Sequence, residues 1–201
     1  MKTGRLIALE GCDGCGKSTQ QDRIARALRS EGYDVVATRE PTDGPWGRRI
    51  RAMARGAERV APAEELRWFV EDRAQHVADT IAPALRAGSI VLTDRYTLSS
   101  VAYQGARGLD WCGILEEGEA RFPIPDLVLL FEVSPAVGLS RVASRGGPRE
   151  EAFESQPYLE KVAAIFEAID RPYLERIDAD REPDAITVDA LGAIRALLVA
   201  P

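Results

Sequence analysis

Gly11-Cys12-Asp13-Gly14-Cys15-Gly16-Lys17-Ser18 fits the pattern G-x-x-x-x-G-K-[ST] at every fixed position. Glycines so spaced let backbone N–H groups converge on phosphate oxygens. The helix that follows adds its positive end, a lysine reaches the β- and γ-phosphates, and the hydroxyl can bind Mg²⁺. Gly11 to Thr19 is therefore read as a loop for the phosphates of a nucleoside triphosphate, with Lys17 supplying catalytic charge and Ser18 a metal ligand. Arg39, Asp94 and Arg95 follow apolar runs further along the chain. Two guanidinium groups there could clamp an acceptor phosphate bidentately, and Asp94 could hold Mg²⁺ through water. Ordinary surface ion pairing is the plain alternative for either arginine alone. Cys12 and Cys15 form a C-x-x-C, but both occupy free positions of the loop and no second cysteine pair or nearby histidine completes a metal site.

These residues need rigid elements to hold them. Short aliphatic or β-branched runs predict strands at Leu6–Glu10, Val35–Thr38, Ile90–Thr93, Leu127–Val133 and Ala185–Val188. Helical patterns lie between them at Ser18–Ser30, Pro45–Ala54, Pro62–Ala87, Pro135–Ser144, Gln156 to about Ile177, and Leu191–Val199, and Tyr96 to Pro125 reads as helical in pieces. Strict alternation predicts a three-layer α/β sandwich, a five-stranded parallel sheet with helices on both faces. In such sheets ligands bind beyond the carboxyl ends of the strands, where the loop, Arg39 and Arg95 all fall. On the Pro62–Ala87 helix the apolar stripe is Leu66, Phe69, Val70, Val77, Ile81 and Leu85, with Arg73 in its middle. A guanidinium on a buried face needs a partner, a carboxylate or a ligand. His76 reads as a solvated or capping residue.

Composition narrows the classes. The chain has 201 residues, 45% hydrophobic and 29% charged, which suits one globular domain spanning 1–201. Its longest apolar run, Leu127–Phe131, is far short of the roughly 18 residues that a membrane span needs, and Met1-Lys2-Thr3-Gly4 leads straight into a strand pattern, so a cytoplasmic protein is expected. A net charge of −6 argues against non-specific nucleic-acid binding. Three cysteines make no disulfide framework, and His76 as the single histidine leaves little for a zinc site. Asparagine is absent, which excludes a GTPase with a guanine-reading Asn-Lys-x-Asp loop. A small phosphotransferase is the natural reading of the remainder.

Four segments give that reading a family. Glu10 to Gln20, Thr38-Arg39-Glu40-Pro41, Asp94-Arg95-Tyr96 with Ser99 to Gly105, and Pro125-Asp126-Leu127 occur in an order and spacing that resemble thymidylate kinases, over about Leu6 to Ala190. The resemblance implies ATP-dependent phosphorylation of dTMP to dTDP, with Mg²⁺, in a homodimer. It implies that Arg39 and Arg95 hold the monophosphate, with Pro41 beside it. Asp94 belongs to the metal region, Phe69 stacks on thymine and Arg73 bonds its O4. By the same resemblance Ser100 and Gln104 face the base, Tyr103 crowds the sugar 2′ position, and Asp13 meets the 3′-hydroxyl region. A core Phe69 and a carboxylate-paired Arg73 remain the alternative on the residues alone. A kinase for another nucleoside monophosphate or a deoxynucleoside is the nearest rival, and a non-catalytic nucleotide-binding module the more distant one.

The Gly-, Pro- and Arg-rich stretch from Arg141 to Phe153 reads as a lid. Some thymidylate kinases carry a catalytic basic residue in the phosphate loop and others use lid arginines. Gly14 stands at that loop position here, so the resemblance points to Arg141, Arg145 and Arg149 as candidates. Two departures are visible: Thr42-Asp43-Gly44 replaces the common Gly-Gly-Thr, and the lid is short, with Glu150-Glu151 inside it.

Overall fold

The structure, a computed structural model, describes residues 4–56, 60–145 and 155–199. Five strands, β1 Arg5–Glu10, β2 Val35–Arg39, β3 Ile90–Asp94, β4 Leu127–Glu132 and β5 Leu174–Asp178, form one parallel sheet in the order β2-β3-β1-β4-β5. Successive residues of a strand point to opposite faces, and two hydrophobic clusters follow from that period of two. Leu6, Ala8, Val91, Val128 and Leu130 join one cluster, whereas Ile7, Leu9, Leu92, Leu129 and Phe131 join the other. The second face is covered by α1 (Lys17–Ser30) through Ile24 and Leu28, and by α9 (Pro183–Val199) through Ile186, Leu191 and Ile194. The first is covered mainly by α3 (Pro62–His76), α5 (Thr97–Ala106), α6 (Trp111–Arg121) and α8 (Gln156–Ala168). Helix α2 (Pro45–Ala54) lies on α3, and α7 (Pro135–Arg145) follows β4.

The fifth strand is not the one predicted. Ala185–Val188 lies inside α9, where Ile186, Ala190, Leu191 and Ile194 are buried at helical spacing. The true β5 is an edge strand whose only buried residue is Ile177, so Leu-Glu-Arg-Ile-Asp shows too few apolar residues to read as a strand. The helix expected to run from Gln156 to about Ile177 ends at Ala168, with Ile169 extended and Pro172 disfavouring helix at the residue before it.

The Pro62–Ala87 helix is interrupted as well. After α3, Val77–Ile81 widens to a π turn in which the Ala82 N–H reaches the Val77 carbonyl, before a short α4 (Ala82–Arg86). Pro83 cannot donate a backbone N–H, and the widened turn accommodates that loss. The fully buried residues of α3 are not its apolar stripe but Glu65, Trp68, Asp72, Arg73 and His76. No described helix is long and apolar enough to cross a membrane.

Candidate active site

The loop after β1 closes on itself. Gly14 has φ 81°, in the left-handed region, and a Cβ there would collide with the Gly138 carbonyl oxygen of α7. Neither the backbone angle nor the space admits a side chain, so the loop cannot carry a basic residue at this place. Lys17 is buried, its Nζ donating to the carbonyls of Gly11 and Cys12 at 3.0 Å each and lying 3.5 Å from Cys15 Sγ. Ser18 Oγ donates to Asp94 Oδ2 at 2.5 Å, and Asp94 Oδ1 is buried with no partner among the described residues. Thr19, one residue on, is exposed.

Burial pushes the Cys12 thiol up to about 12, so its thiolate is scarce at neutral pH, and Cys12 and Cys15 are both free. A Cys12→Ser, Cys15→Ala double variant is expected to keep most of the turnover, because glycine geometry and backbone N–H groups make the loop. A folded variant that loses most of the turnover would contradict this, and activity that follows thiol redox state in the wild type alone would give the C-x-x-C pair a redox role.

Across the loop, Arg95 donates to the Asp13 carboxylate, to Ser99 Oγ at 3.1 Å and to Tyr103 Oη at 3.4 Å, while Tyr103 Oη donates to Asp13 Oδ2 at 2.8 Å. Burial acts to raise the Asp13 carboxyl, but the charges of Arg95 and Lys17 outweigh it and hold it below the usual carboxylate range. Arg95 has φ 72°, an uncommon backbone angle for a side-chain-bearing residue, of the kind that collects at functional sites.

Glu10, at the end of β1, holds this corner in place. Its Oε1 accepts the Tyr96 N–H at 2.9 Å and the Ser99 N–H at 3.1 Å, and its Oε2 accepts the Ser99 hydroxyl at 2.5 Å. It thereby caps α5 from a neighbouring strand. Complete burial pushes its pKa from the ordinary 4.5 up to about 7, with the Ser99 bond and Arg95 opposing. A carboxyl raised on folding contributes stability that is full below pH 4.5 and fades as pH rises through 7. Glu10→Gln keeps the acceptor oxygen and cannot ionise. Thermal unfolding should show the wild type losing stability relative to this variant over that window, at about 1 kcal/mol per pH unit at its steepest. Parallel curves would mean that Glu10 does not titrate there.

Asp13, Arg39, Pro41, Phe69, Arg73, Arg95, Ser100, Tyr103 and Gln104 all line one cavity of about 320 Å³. Part of its lining is polar and deeply buried, Glu40, Arg73 and Gln104 among it. Arg73 Nε and Nη2 donate to Glu40 Oε2 at 2.9 and 2.8 Å, and Nη2 also reaches the Tyr96 carbonyl at 2.9 Å and Ser100 Oγ at 3.0 Å. Its Nη1 has no protein acceptor among these bonds, so the partner that Arg73 requires leaves the two N–H groups of Nη1 over. Glu40 Oε1 pairs with His76 Nδ1 at 3.0 Å, and His76 Nε2 meets Thr38 Oγ1 at 2.7 Å. His76 is thus a buried member of a network, not a solvated or capping residue. Gln104 Nε2 donates to Glu65 Oε1 at 2.9 Å, and Gln104 Oε1 is buried without a partner among the described residues.

Other expected residues stand apart. Arg39 lines the cavity rim but its side chain is 63% exposed and paired with Asp43. Arg141 donates to the Ala179 carbonyl at 2.9 Å and pairs with Asp180, tying α7 to the turn after β5. Arg145 ends α7, and Arg149 and the rest of the expected lid lie outside the described residues. Asp126, from the fourth segment, accepts the Leu6 N–H and pairs with Arg5 at the opposite end of the sheet, a structural task. Glu40, Glu65 and Asp72 are buried carboxylates with no role legible in the sequence. Glu65 and Asp72 share one signal, polar residues at helical spacing on α3, and Glu40 is marked only as the glutamate of Thr38-Arg39-Glu40-Pro41.

A family model described as Thymidylate kinase matches residues 9–189. The chain belongs to the thymidylate kinase family. Relatives named Thymidylate kinase include those of Desulfotalea psychrophila, 44% identical over 97% of this chain and 96% of the relative, and Xanthomonas euvesicatoria, 43% identical over 97% and 85%. The Xylella fastidiosa thymidylate kinase is 41% identical over 97% of this chain and 88% of its own. As a member of that family the protein is a phosphotransferase, which suits a cleft where a phosphate loop and a polar cavity meet through Asp13 and Arg95.

A metal ion is compatible with the same corner. Asp94 Oδ1 is an orphaned buried acceptor beside the Ser18 hydroxyl, both hard oxygen donors of the kind Mg²⁺ takes. No cluster of three or more His, Cys, Asp or Glu side chains suited to a metal occurs among the described residues. An ion bound chiefly by substrate phosphates needs none.

Proposed function

We propose that this cleft carries out the family's reaction, transfer of the γ-phosphoryl group of ATP to dTMP, with ATP phosphates on Gly11–Thr19 and dTMP in the cavity lined by Phe69, Arg73 and Gln104. The observation that carries the reading is the pattern left over at the inner end of that cavity. Arg73 Nη1 is a donor and Gln104 Oε1 an acceptor, both without protein partners among the described residues. Thymine offers the complement, an O4 acceptor beside an N3–H donor, with Phe69 against its ring. Ser100 supports Arg73, and Tyr103 stands against the sugar. Arg95 and Arg39 take the 5′-phosphate beside Pro41, and Asp13 orients Arg95 and meets the sugar.

The acceptor phosphate is already an anionic nucleophile, so no strong general base is required. Positioning and charge neutralisation carry the rate. Lys17 leaves the Gly11 and Cys12 carbonyls for the triphosphate, and Arg95 aligns the attacking oxygen. Ser18 directly, and Asp94 through water, would hold Mg²⁺, which when bound neutralises charge on the β- and γ-phosphates. A lid at about 141–153 supplies further charge from Arg145 or Arg149, or from Arg141 on release from the Ala179 carbonyl and Asp180. The protein works as one catalytic domain per chain, in a cytoplasmic homodimer, with no nucleic-acid or membrane partner.

ADP release measured over dTMP, dUMP, dCMP, dGMP and thymidine tests the reading. The highest kcat/KM is expected for dTMP. A preference for another monophosphate or for thymidine would favour the kinase rivals, and no ADP release with any acceptor would favour a binding module.

A further inference from the structure

Glu65 touches no part of the cavity surface, yet its two oxygens govern a residue that does. Fully buried on α3, it accepts Gln104 Nε2–H at 2.9 Å on Oε1 and Arg107 on Oε2, and Arg107 is itself anchored to the Val60 carbonyl at 3.1 Å. A carboxylate can only accept, so the side of the Gln104 amide that faces it must be the NH₂ group. Reversing the amide would set two acceptor oxygens against each other in a buried site and leave the NH₂ group without its acceptor. Gln104 Oε1 is therefore the atom left for a ligand, and it is buried without a partner among the described residues.

We infer that Glu65 is a specificity-determining positioning residue: by fixing the Gln104 amide it selects a base with an N3–H donor and rejects one with an N3 acceptor. This rests on the proposal that Gln104 faces the base. Thymine and uracil carry the donor, whereas cytosine carries a bare N3 and would meet Oε1 lone pair to lone pair. Selection at this edge separates dTMP and dUMP from dCMP, and leaves the choice between thymine and uracil to the methyl group.

Glu65→Gln turns this into a measurement. Arg107, still held by Val60, takes the carbonyl oxygen of the new amide, which leaves the NH₂ group of that amide facing Gln104. The Gln104 amide must then reverse and present NH₂ to the base. Binding of dTMP, dUMP and dCMP is followed by isothermal titration. The Kd values for dTMP and dUMP should rise together, at least about tenfold, the worth of a hydrogen bond lost in a closed site. The Kd for dCMP should not rise, so the dCMP to dTMP preference shifts by at least that factor.

A merely structural role would weaken all three ligands alike, and an unchanged ratio overturns the inference. Should Glu65→Gln fail to fold, Glu65→Gln with Arg107→Met makes the pair neutral and leaves both amides free to turn. Discrimination should then shrink several-fold, and an unchanged ratio again overturns the inference. Gln104→Ala separates the two levels. If it leaves the three Kd values in their wild-type ratio, Gln104 does not read the base and this inference falls with that proposal. If it shrinks the discrimination, the remainder being held by Arg73, while the Glu65 variants retain it in full, only the role of Glu65 is wrong.

Discussion

Lys17→Ala is expected to reduce turnover to below about a hundredth of wild type, at the scale seen when one preorganised donor to a transition-state oxygen is removed. The loop otherwise neutralises triphosphate charge with backbone dipoles, and the space at Gly14 admits no substitute cation. Stability should change far less. Among the described residues Lys17 Nζ bonds to the Gly11 and Cys12 carbonyls and to Cys15 Sγ, all in its own loop, so its removal strands no buried carboxylate there; the loss is that of ordinary hydrogen bonds, about 0.5–1.5 kcal/mol each. Arg95 remains as the partner of Asp13. Steady-state kinetics beside a thermal melt distinguishes the two effects. A folded variant that retains more than about a tenth of wild-type turnover would place the decisive charge elsewhere.

What can be read from the chain follows from how local each feature is. The phosphate loop is contiguous, so spacing alone identifies it. Strands β1, β3 and β4 are covered on both faces and announce themselves as apolar runs, whereas β5 is an edge strand and shows only Leu174 and Ile177. The nine expected acceptor-site residues meet at one cavity because each follows a strand or faces it from α3 or α5. Their supports are not legible. Glu40 lies 33 residues from Arg73 and Glu65 lies 39 from Gln104, and no periodicity links a carboxylate to a partner at such separations. The polar face of α3 hides the same information, since residues that look solvated can be buried when each has a partner. His76 belongs to that group, and its burial is invisible without Glu40 and Thr38 beside it.

Those buried pairs also explain how the cavity can be selective. An ionic pair inside a protein gains little net stability, because desolvation offsets its attraction. Its value here is directional. Glu40 takes two donors of Arg73 and frees Nη1, while Glu65 takes the Gln104 NH₂ and frees Oε1, so each carboxylate converts a symmetric or reversible group into one with a defined end.

Arg95→Ala should lower kcat/KM for dTMP by about 10²–10³-fold with little change in the KM for ATP, because one guanidinium both binds the acceptor phosphate and aligns its attacking oxygen. Arg95→Lys should recover only part of this, since an ammonium cannot span Asp13, Ser99 and the substrate with one planar fork. The backbone provides a control. At φ 72° an alanine suffers the same left-handed strain as arginine, while glycine does not, so Arg95→Gly should be more stable than Arg95→Ala by about 1 kcal/mol and equally inactive. Activity that rises with the stability of the glycine variant would mean that the alanine variant fails through distortion of the corner after β3. Equal kinetic loss in both, with melting temperatures that differ, would place the defect in the missing guanidinium. A loss of less than about tenfold in kcat/KM for dTMP in either variant would remove Arg95 from the acceptor-phosphate site and leave its bond to Asp13 as a structural ion pair.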